Sequence, residues 1–305
     1  MEYLQFMIII LFSPLVQGII KKLKANMQGR VGPGIFQTYY DLIRLCRKDM
    51  VISRVASWIF KATPYIVFTS TVAAAMIVPV ITTSSRSGIM GDVIALIYLF
   101  ALGRFFMALA GLDAGTAFGG EGSSREMTVA ILVEPMMMLS IFTAAISAGS
   151  TNMARIAETH GFSYSPSHVL AFSAFMIAII AETGRIPVDN PDTHLELTMI
   201  HEGMILEYSG RYLALMELAH YMKQMLLFTI AADIFFPLGI SNTMDISGLA
   251  VSSAAYFLKM FLMSVFMAMI ESSRAKVRFF QVPSLLGGAF VLAVLSLLTY
   301  IMMGK

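Results

Sequence analysis

Long apolar stretches dominate this chain, and polar residues fall between them in blocks. Eight stretches of roughly 20 residues, the length a bilayer's hydrocarbon core demands, lie near 3–20, 65–83, 92–110, 127–148, 167–184, 212–236, 248–270 and 284–303. Within them the pattern predicts helices. The weakly alternating ten-residue strands of a membrane barrel do not occur. One connecting segment carries a helix of another kind. After the breakers Gly29, Gly32, Pro33 and Gly34, the residues Ile35, Tyr39, Leu42, Ile43 and Cys46 recur at helical spacing, with Gln37, Asp41, Arg44 and Arg47 on other faces. That is a short amphipathic helix lying on a membrane surface. It reads equally as an anchor and as a platform for a soluble partner. The expected fold is therefore all-α: a polytopic membrane protein with about eight transmembrane helices and a cytoplasmic amphipathic surface helix. Without internal repeats or linkers, residues 1–305 form a single integral membrane domain.

Composition agrees: 57% of residues are hydrophobic and 13% charged, about half the charge of a soluble domain. The net charge of +2 gives no case for nucleic-acid binding. Cys46 is the sole cysteine, so disulfides, cysteine-ligated iron–sulfur clusters and cysteine zinc sites are excluded. The N-terminus has no basic leader or cleavage site and reads as a retained first span. Outside the spans, fifteen basic residues lie in the loops 21–63, 111–126, 185–211 and 271–283, against Arg86, Arg155 and Lys305 on the other side. That bias predicts that those four loops face the cytoplasm and that both termini lie outside. The 25 methionines read as lipid-facing or core filler.

Charge inside the spans carries the candidate chemistry. Arg104, Glu134, Glu182, Glu217, Lys223, Asp233 and Lys259 fall within or near the ends of apolar runs. Each costs about 2.5–3.5 kcal/mol when placed centrally and unpaired, so these groups must pair, face the interior or reach an interface. Glu134 precedes Pro135, which removes a backbone donor and opens the helix locally. It serves either as a proton relay or as an interhelical hydrogen bond. Glu217, His220 and Gln224 share a helix face with Lys223 close by, a set that passes protons or forms a static charge-compensated knot. Asp233 and Lys259 are expected to snorkel. Arg104 is expected to pair with a carboxylate of a neighbouring helix, and Glu271 with Arg274. His194 and His201, seven apart, are a weak metal signal. The densest acidic stretch is 181–210, where Glu182, Asp189, Asp192, Glu196, Glu202 and Glu207 gather six of the chain's 19 acids at one edge of the bilayer.

That stretch carries a resemblance. RIPVDNPDTHLEL followed by EYSG is similar to the signature of the complex I membrane subunit that abuts the quinone site, through Arg185, Pro187, Asp189, Pro191, Glu196, Leu197 and Glu207 to Gly210. Upstream, Gln28, Arg30, Gly32, Pro33, Gln37, Asp41, Ile43 and Leu45 resemble a second motif of that family. The single short G-P-G, the series Asp192, His194, Glu196 and the segments GLDAGTAFGGEGSSRE and LVEP look instead like the shorter branch found in membrane-bound [NiFe] hydrogenases, of the formate hydrogenlyase or hydrogenase-4 type. The resemblance implies a non-catalytic subunit of an oxidoreductase complex in a prokaryotic inner membrane. Its partners would be hydrogenase-like large and small subunits, an iron–sulfur subunit and antiporter-like membrane subunits. It implies no cofactor on this chain, with the Ni-Fe centre and iron–sulfur clusters in those partners. It implies an acidic proton path through Glu134, Glu182, Asp189, Glu196, Glu202 and Glu207, continued by Glu217 and Lys223. Arg30, Gly32, Pro33, Gln37, Asp41 and Arg185 would form the docking interface. A quinone-site subunit of a complex I-like dehydrogenase is the alternative, and an autonomous transporter, suited by the buried charges but lacking an internal repeat, is a third reading.

Overall fold

The computed structural model describes residues 2–82, 91–159, 165–189, 199–237, 239, 246–275 and 277–303. Among them no β-strand forms, and eleven α-helices follow in order. They are α1 (Glu2–Met27), α2 (Gln37–Arg47), α3 (Trp58–Ile77), α4 (Val93–Asp113), α5 (Ala117–Ala148), α6 (Met153–Thr159), α7 (Pro166–Glu182), α8 (His201–Ile205), α9 (Gly210–Phe235), α10 (Ile246–Ser273) and α11 (Val282–Met303).

Six of these, α1, α3, α4, α5, α10 and α11 with the turn before it, are long and apolar enough to cross a membrane. Helices α7 and α9 occupy the remaining two expected spans. The first is short at 17 residues, and the second carries Arg211, Glu217, Lys223 and Asp233. The fold is an all-α polytopic membrane protein.

Helix ends differ from the hydropathy reading where caps and small residues act. Ser57 caps α3 by accepting the amide of Ile59, so this helix starts before Pro64 and carries the proline inside it. Thr116 caps α5, which begins ten residues before its apolar run. The extension AFGGEGSSRE is polar, yet its glycines allow close packing. A Cβ on Gly119 would collide with the carbonyl oxygen of Gly111 on α4, and one on Gly122 would sit 2.9 Å from that of Ile200. Gly149, in the left-handed conformation, ends the helix.

Helix α9 runs through the middle of the bundle and touches α1, α2, α3, α7 and α10. Its second half is buried nearly all round, from Gln224 to Ile234. Around it α3 packs on α4, α4 on α5, α5 on α7, both of these on α11, and α1 on α10. The core is built from methionine, isoleucine and alanine, with Phe60, Phe175 and Phe228 among its largest buried side chains. Side-chain hydrogen bonds stitch helices together inside it, as between Thr143 and Ser296 at 3.0 Å and Thr229 and Tyr256 at 2.9 Å.

The four basic loops meet at one end. Asp113 accepts the amides of Ser57 at 2.8 Å and Phe60 at 3.2 Å. The amide of Val277 donates to the carbonyl of Pro187 at 3.0 Å. Arg125 donates to the carbonyl of Met199 at 3.2 Å. The end so formed carries α2, α8 and the motif loop.

Candidate functional site: a buried charge cluster beneath a polar cavity

Arg104 sits in the middle of α4, only 4% exposed. Its guanidinium fork reaches three carboxylates on two other helices. Nη1 donates to Glu134 at 2.7 Å, Nη2 donates to Glu182, and Nε lies 3.4 Å from Glu126. The Nζ of Lys223, from α9, lies 2.6 Å from the other oxygen of Glu182. Four helices thus converge on one charged cluster, and Arg104 has the partner on a neighbouring helix that its insertion cost demands. Three carboxylates face two cations, so in this cluster the acids outnumber the bases by one. Glu134 is its outermost member, with a side chain 36% exposed on the flank of the bundle.

Beside this cluster a small chamber of about 30 Å³, room for about two waters, is lined by Ser70, Thr71, Arg104 and Lys223. A second cavity of about 560 Å³ lies nearer the loop end. Asp189, Glu202, Glu217 and Glu271 line it together with Lys21, Lys24, Arg30 and Arg185. His201 and His220 line both spaces.

Several candidate residues come together here and some do not. Glu134, Glu182 and Lys223 form the cluster, while Asp189, Glu202 and Glu217 line the larger cavity. Glu207 lines neither space. Glu196 lies outside the described residues, as do Asp192 and His194. Arg30 and Pro33 stand at the cavity wall. Gly32 packs on α1, where a Cβ would meet that of Ala25 at 2.5 Å, and its carbonyl accepts from Lys22 at 3.3 Å. Gln37 donates to Asp41 at 2.9 Å on α2. Arg185 is 8% exposed and braces three helices from within, donating to Glu271 of α10 at 2.5 Å, to Gln224 of α9 at 2.6 Å and to Gln17 of α1.

Two expectations are corrected. Glu271 turns inward to Arg185 and to Lys24, 3.2 Å away, rather than towards Arg274. Coulomb attraction is stronger in the low-dielectric interior than in water, and there two cations flank this carboxylate. Asp233 does not snorkel. It is 1% exposed, and Lys259 of the neighbouring helix is its electrostatic partner. Of the apolar stripe at α2, Tyr39 and Leu42 are half-buried and Ile35, Ile43 and Cys46 exposed, while Thr38 is buried against the bundle.

Glu126 escapes the sequence pattern, because the polar start of α5 looks like a loop. Its position eight residues before Glu134, about two helical turns, is the available signal. Nor does the pattern give EYSG a structural role. Tyr208 stacks on Phe60 with ring centres 4.0 Å apart and donates to that residue's carbonyl at 2.8 Å. Burial pushes its hydroxyl well above the usual tyrosine range. The Ser209 hydroxyl accepts the amide of Val51 at 2.8 Å and donates to the Val51 carbonyl at 2.9 Å. Gly210, at φ +54°, lies under the backbone of Lys48 and Asp49. The motif clamps the loop between α2 and α3 onto the start of α9. Among the described residues, no three His, Cys, Asp or Glu side chains gather as metal ligands.

The comparisons with known proteins agree with this architecture. Hydrogenase-4 component C of Escherichia coli (strain K12) is 36% identical over 294 residues, covering 96% of this chain and 92% of that protein. Formate hydrogenlyase subunit 4 of the same organism is 34% identical over 296 residues, covering 96% and 95%. A subunit of the NADH-quinone oxidoreductase of Syntrophotalea carbinolica is 29% identical over 232 residues, covering 70% and 69%. A chain of the membrane-bound sulfane sulfur reductase, an archaeal respiratory membrane complex, shares the fold with a TM-score of 0.79 at 19% identity, over 97% of this chain and 98% of that one. With residues 1–304 matched to the NADH dehydrogenase family and two relatives above 30% identity along nearly their whole length, the chain belongs to that family as a membrane subunit of a respiratory-type oxidoreductase complex.

Proposed function

We propose that this chain is the membrane-anchoring and proton-coupling subunit of a multisubunit membrane-bound [NiFe] hydrogenase or formate hydrogenlyase. The observation that carries the proposal is the buried Arg104 cluster, reaching Glu134 on the flank and adjoined by a chamber that shares His201 and His220 with the larger cavity. In this reading the loop end faces the cytoplasm, as the basic residues favour. Hydrogenase-like large and small subunits and an iron–sulfur subunit dock there against α2 and Arg30. They hold the nickel–iron centre and the clusters, while this chain contributes ionisable side chains. A charge change in the docked arm shifts the protonation of Asp189, Glu202 and Glu217. That shift reaches Glu182 through the interior and leaves by Glu134 towards antiporter-like subunits.

The alternative is a quinone-site subunit. A quinone needs an apolar slot for its ring and tail, and the wall of the larger cavity carries four acids and four bases. That lining suits water and ions.

The test uses the complex purified in mild detergent from its native membrane. Nickel, iron and a hydrogenase-like large subunit should co-purify. In membrane vesicles Glu134→Gln should assemble normally and lower proton translocation per turnover. Normal translocation in Glu134→Gln would sink the coupling role, and a complex with bound quinone and no nickel would favour the alternative.

A further inference from the structure

Of the described residues, His201 and His220 alone line both the larger cavity and the inner chamber. They are the shared wall between the two. Their rings lie 4.5 Å apart, centre to centre, inclined by 40°. The wall is assembled from separate elements, since His201 opens α8 and His220 sits near the middle of α9. Asp189 fixes the first of them by accepting its backbone amide at 3.2 Å. On the cavity side Glu217, one turn before His220, interacts electrostatically with His201. On the chamber side Lys223, nearly one turn after His220, is joined to Glu182. Glu217, His220 and Lys223 thus follow one another at three-residue steps along α9, with His201 of α8 packed on the middle one.

We propose that His201 and His220 form a two-imidazole proton gate between the larger cavity and the inner chamber, where Arg104 and Lys223 hold Glu182. The proposal deepens the coupling role above and rests on it. Imidazole is the one side chain whose two ring nitrogens can accept a proton on one side and release another on the other near neutral pH. A proton bound by one nitrogen of the first ring makes an imidazolium. The proton on its second nitrogen passes to the second ring, directly or over one water, and the second ring releases a proton to Glu182. One proton enters, one leaves, no electrons move, and only N–H and O–H bonds change. Each ring is left in its other tautomer, and a ring flip or a proton exchange with cavity water restores it before the next transfer. Burial, opposed by Glu217, holds His201 below the ordinary histidine value, so the neutral ring is the resting form. Arg185, Lys21 and Lys223 also bear on the pair, and Asp189 and Glu182 oppose them. A brief imidazolium is thereby tolerated, while a permanent one beside Lys223 is not.

The experiment uses the intact complex in inverted membrane vesicles, with turnover driven by reduced viologen, proton uptake read by a pH-sensitive dye, and assembly checked by co-purification. His201→Phe and His220→Phe keep a ring in the wall and remove its nitrogens. Each should lower proton uptake per turnover on the order of 100-fold. His201→Ala and His220→Ala should regain uptake when imidazole is added. If a Phe variant does not assemble, His201→Gln or His220→Gln is read in its place. Undiminished uptake in the assembled variants, or an Ala loss that imidazole leaves unchanged, overturns the gate. Glu134→Gln is measured alongside. If it impairs uptake and the histidine variants do not, the gate alone fails. If none of them impairs uptake, or the unaltered complex shows no turnover, the coupling role fails as well.

Discussion

At Gly210 the backbone turns left-handed, with φ +54°, directly beneath the carbonyl oxygens of Lys48 and Asp49, each 2.9 Å from where a Cβ would stand. The left-handed conformation alone costs an ordinary residue about 1–2 kcal/mol, and the close carbonyls add to it. Gly210→Ala should therefore lower the melting temperature of the purified complex and loosen residues 48–51, read as increased protease cleavage there. An unchanged melting temperature would show that the loop yields freely. His201 gives a pH dependence. Its folded value lies below the ordinary 6.5, so the unfolded chain binds more protons in the window just below that pH. Its contribution to stability is present above about 6.5 and is lost as pH falls through the folded value. Intrinsic-rate-corrected hydrogen exchange should show α8 less protected at pH about 5.5 than at about 7.5, and His201→Gln should flatten the difference. Such residues are only partly legible in the sequence. Arg104, Glu134, Glu182 and Lys223 stand out because each breaks an apolar run. Glu126 and Glu271 do not, because they lie where a polar residue looks ordinary, and only the packing of α5 and α10 shows that they point inward.

At the scale of elements, the charged cluster is a joint between helices. Arg104 of α4 holds Glu126 and Glu134 of α5 and Glu182 of α7. Removing one partner of a buried ionic set leaves the others uncompensated and costs about 3–5 kcal/mol. Arg104→Gln should thus reduce the amount of folded chain in the membrane, measured by quantitative immunoblotting against total membrane protein, while Arg104→Lys restores part of it. Equal levels in the wild type and Arg104→Gln would mean that water already compensates these acids. The helices themselves are legible in hydropathy, since eight apolar runs coincide with eight long helices. Their ends are not, because caps such as Ser57 and Thr116 and the close approach of Gly119 to α4 are settled by hydrogen bonds and contacts that hydropathy does not register. The amphipathic helix α2 lies along the chain where its spacing places it. The spacing gives the stripe but not the side on which the bundle lies, where Thr38 is the buried residue.

For the whole molecule, the bias of basic residues and the meeting of four loops at one end define a docking surface in the proposed complex. Arg30 stands exposed at the cavity wall, next to the exposed Val31 and the outward face of α2. Arg30→Glu should release the soluble redox subunits from salt-washed membranes while leaving this chain inserted. Retention of those subunits at wild-type levels would place their contact elsewhere. The clamp built by Tyr208 and Ser209 gives this surface a mechanical meaning. Val51 is gripped at both its amide and its carbonyl, and α9 begins at the next residue after the grip. From there α9 runs as a stiff rod, about 20 Å to Lys223. A push on the loop after α2 is not dissipated in a slack connection. In the proposed complex it would turn or shift the rod, carrying His220 and Lys223 past the acids on α5 and α7.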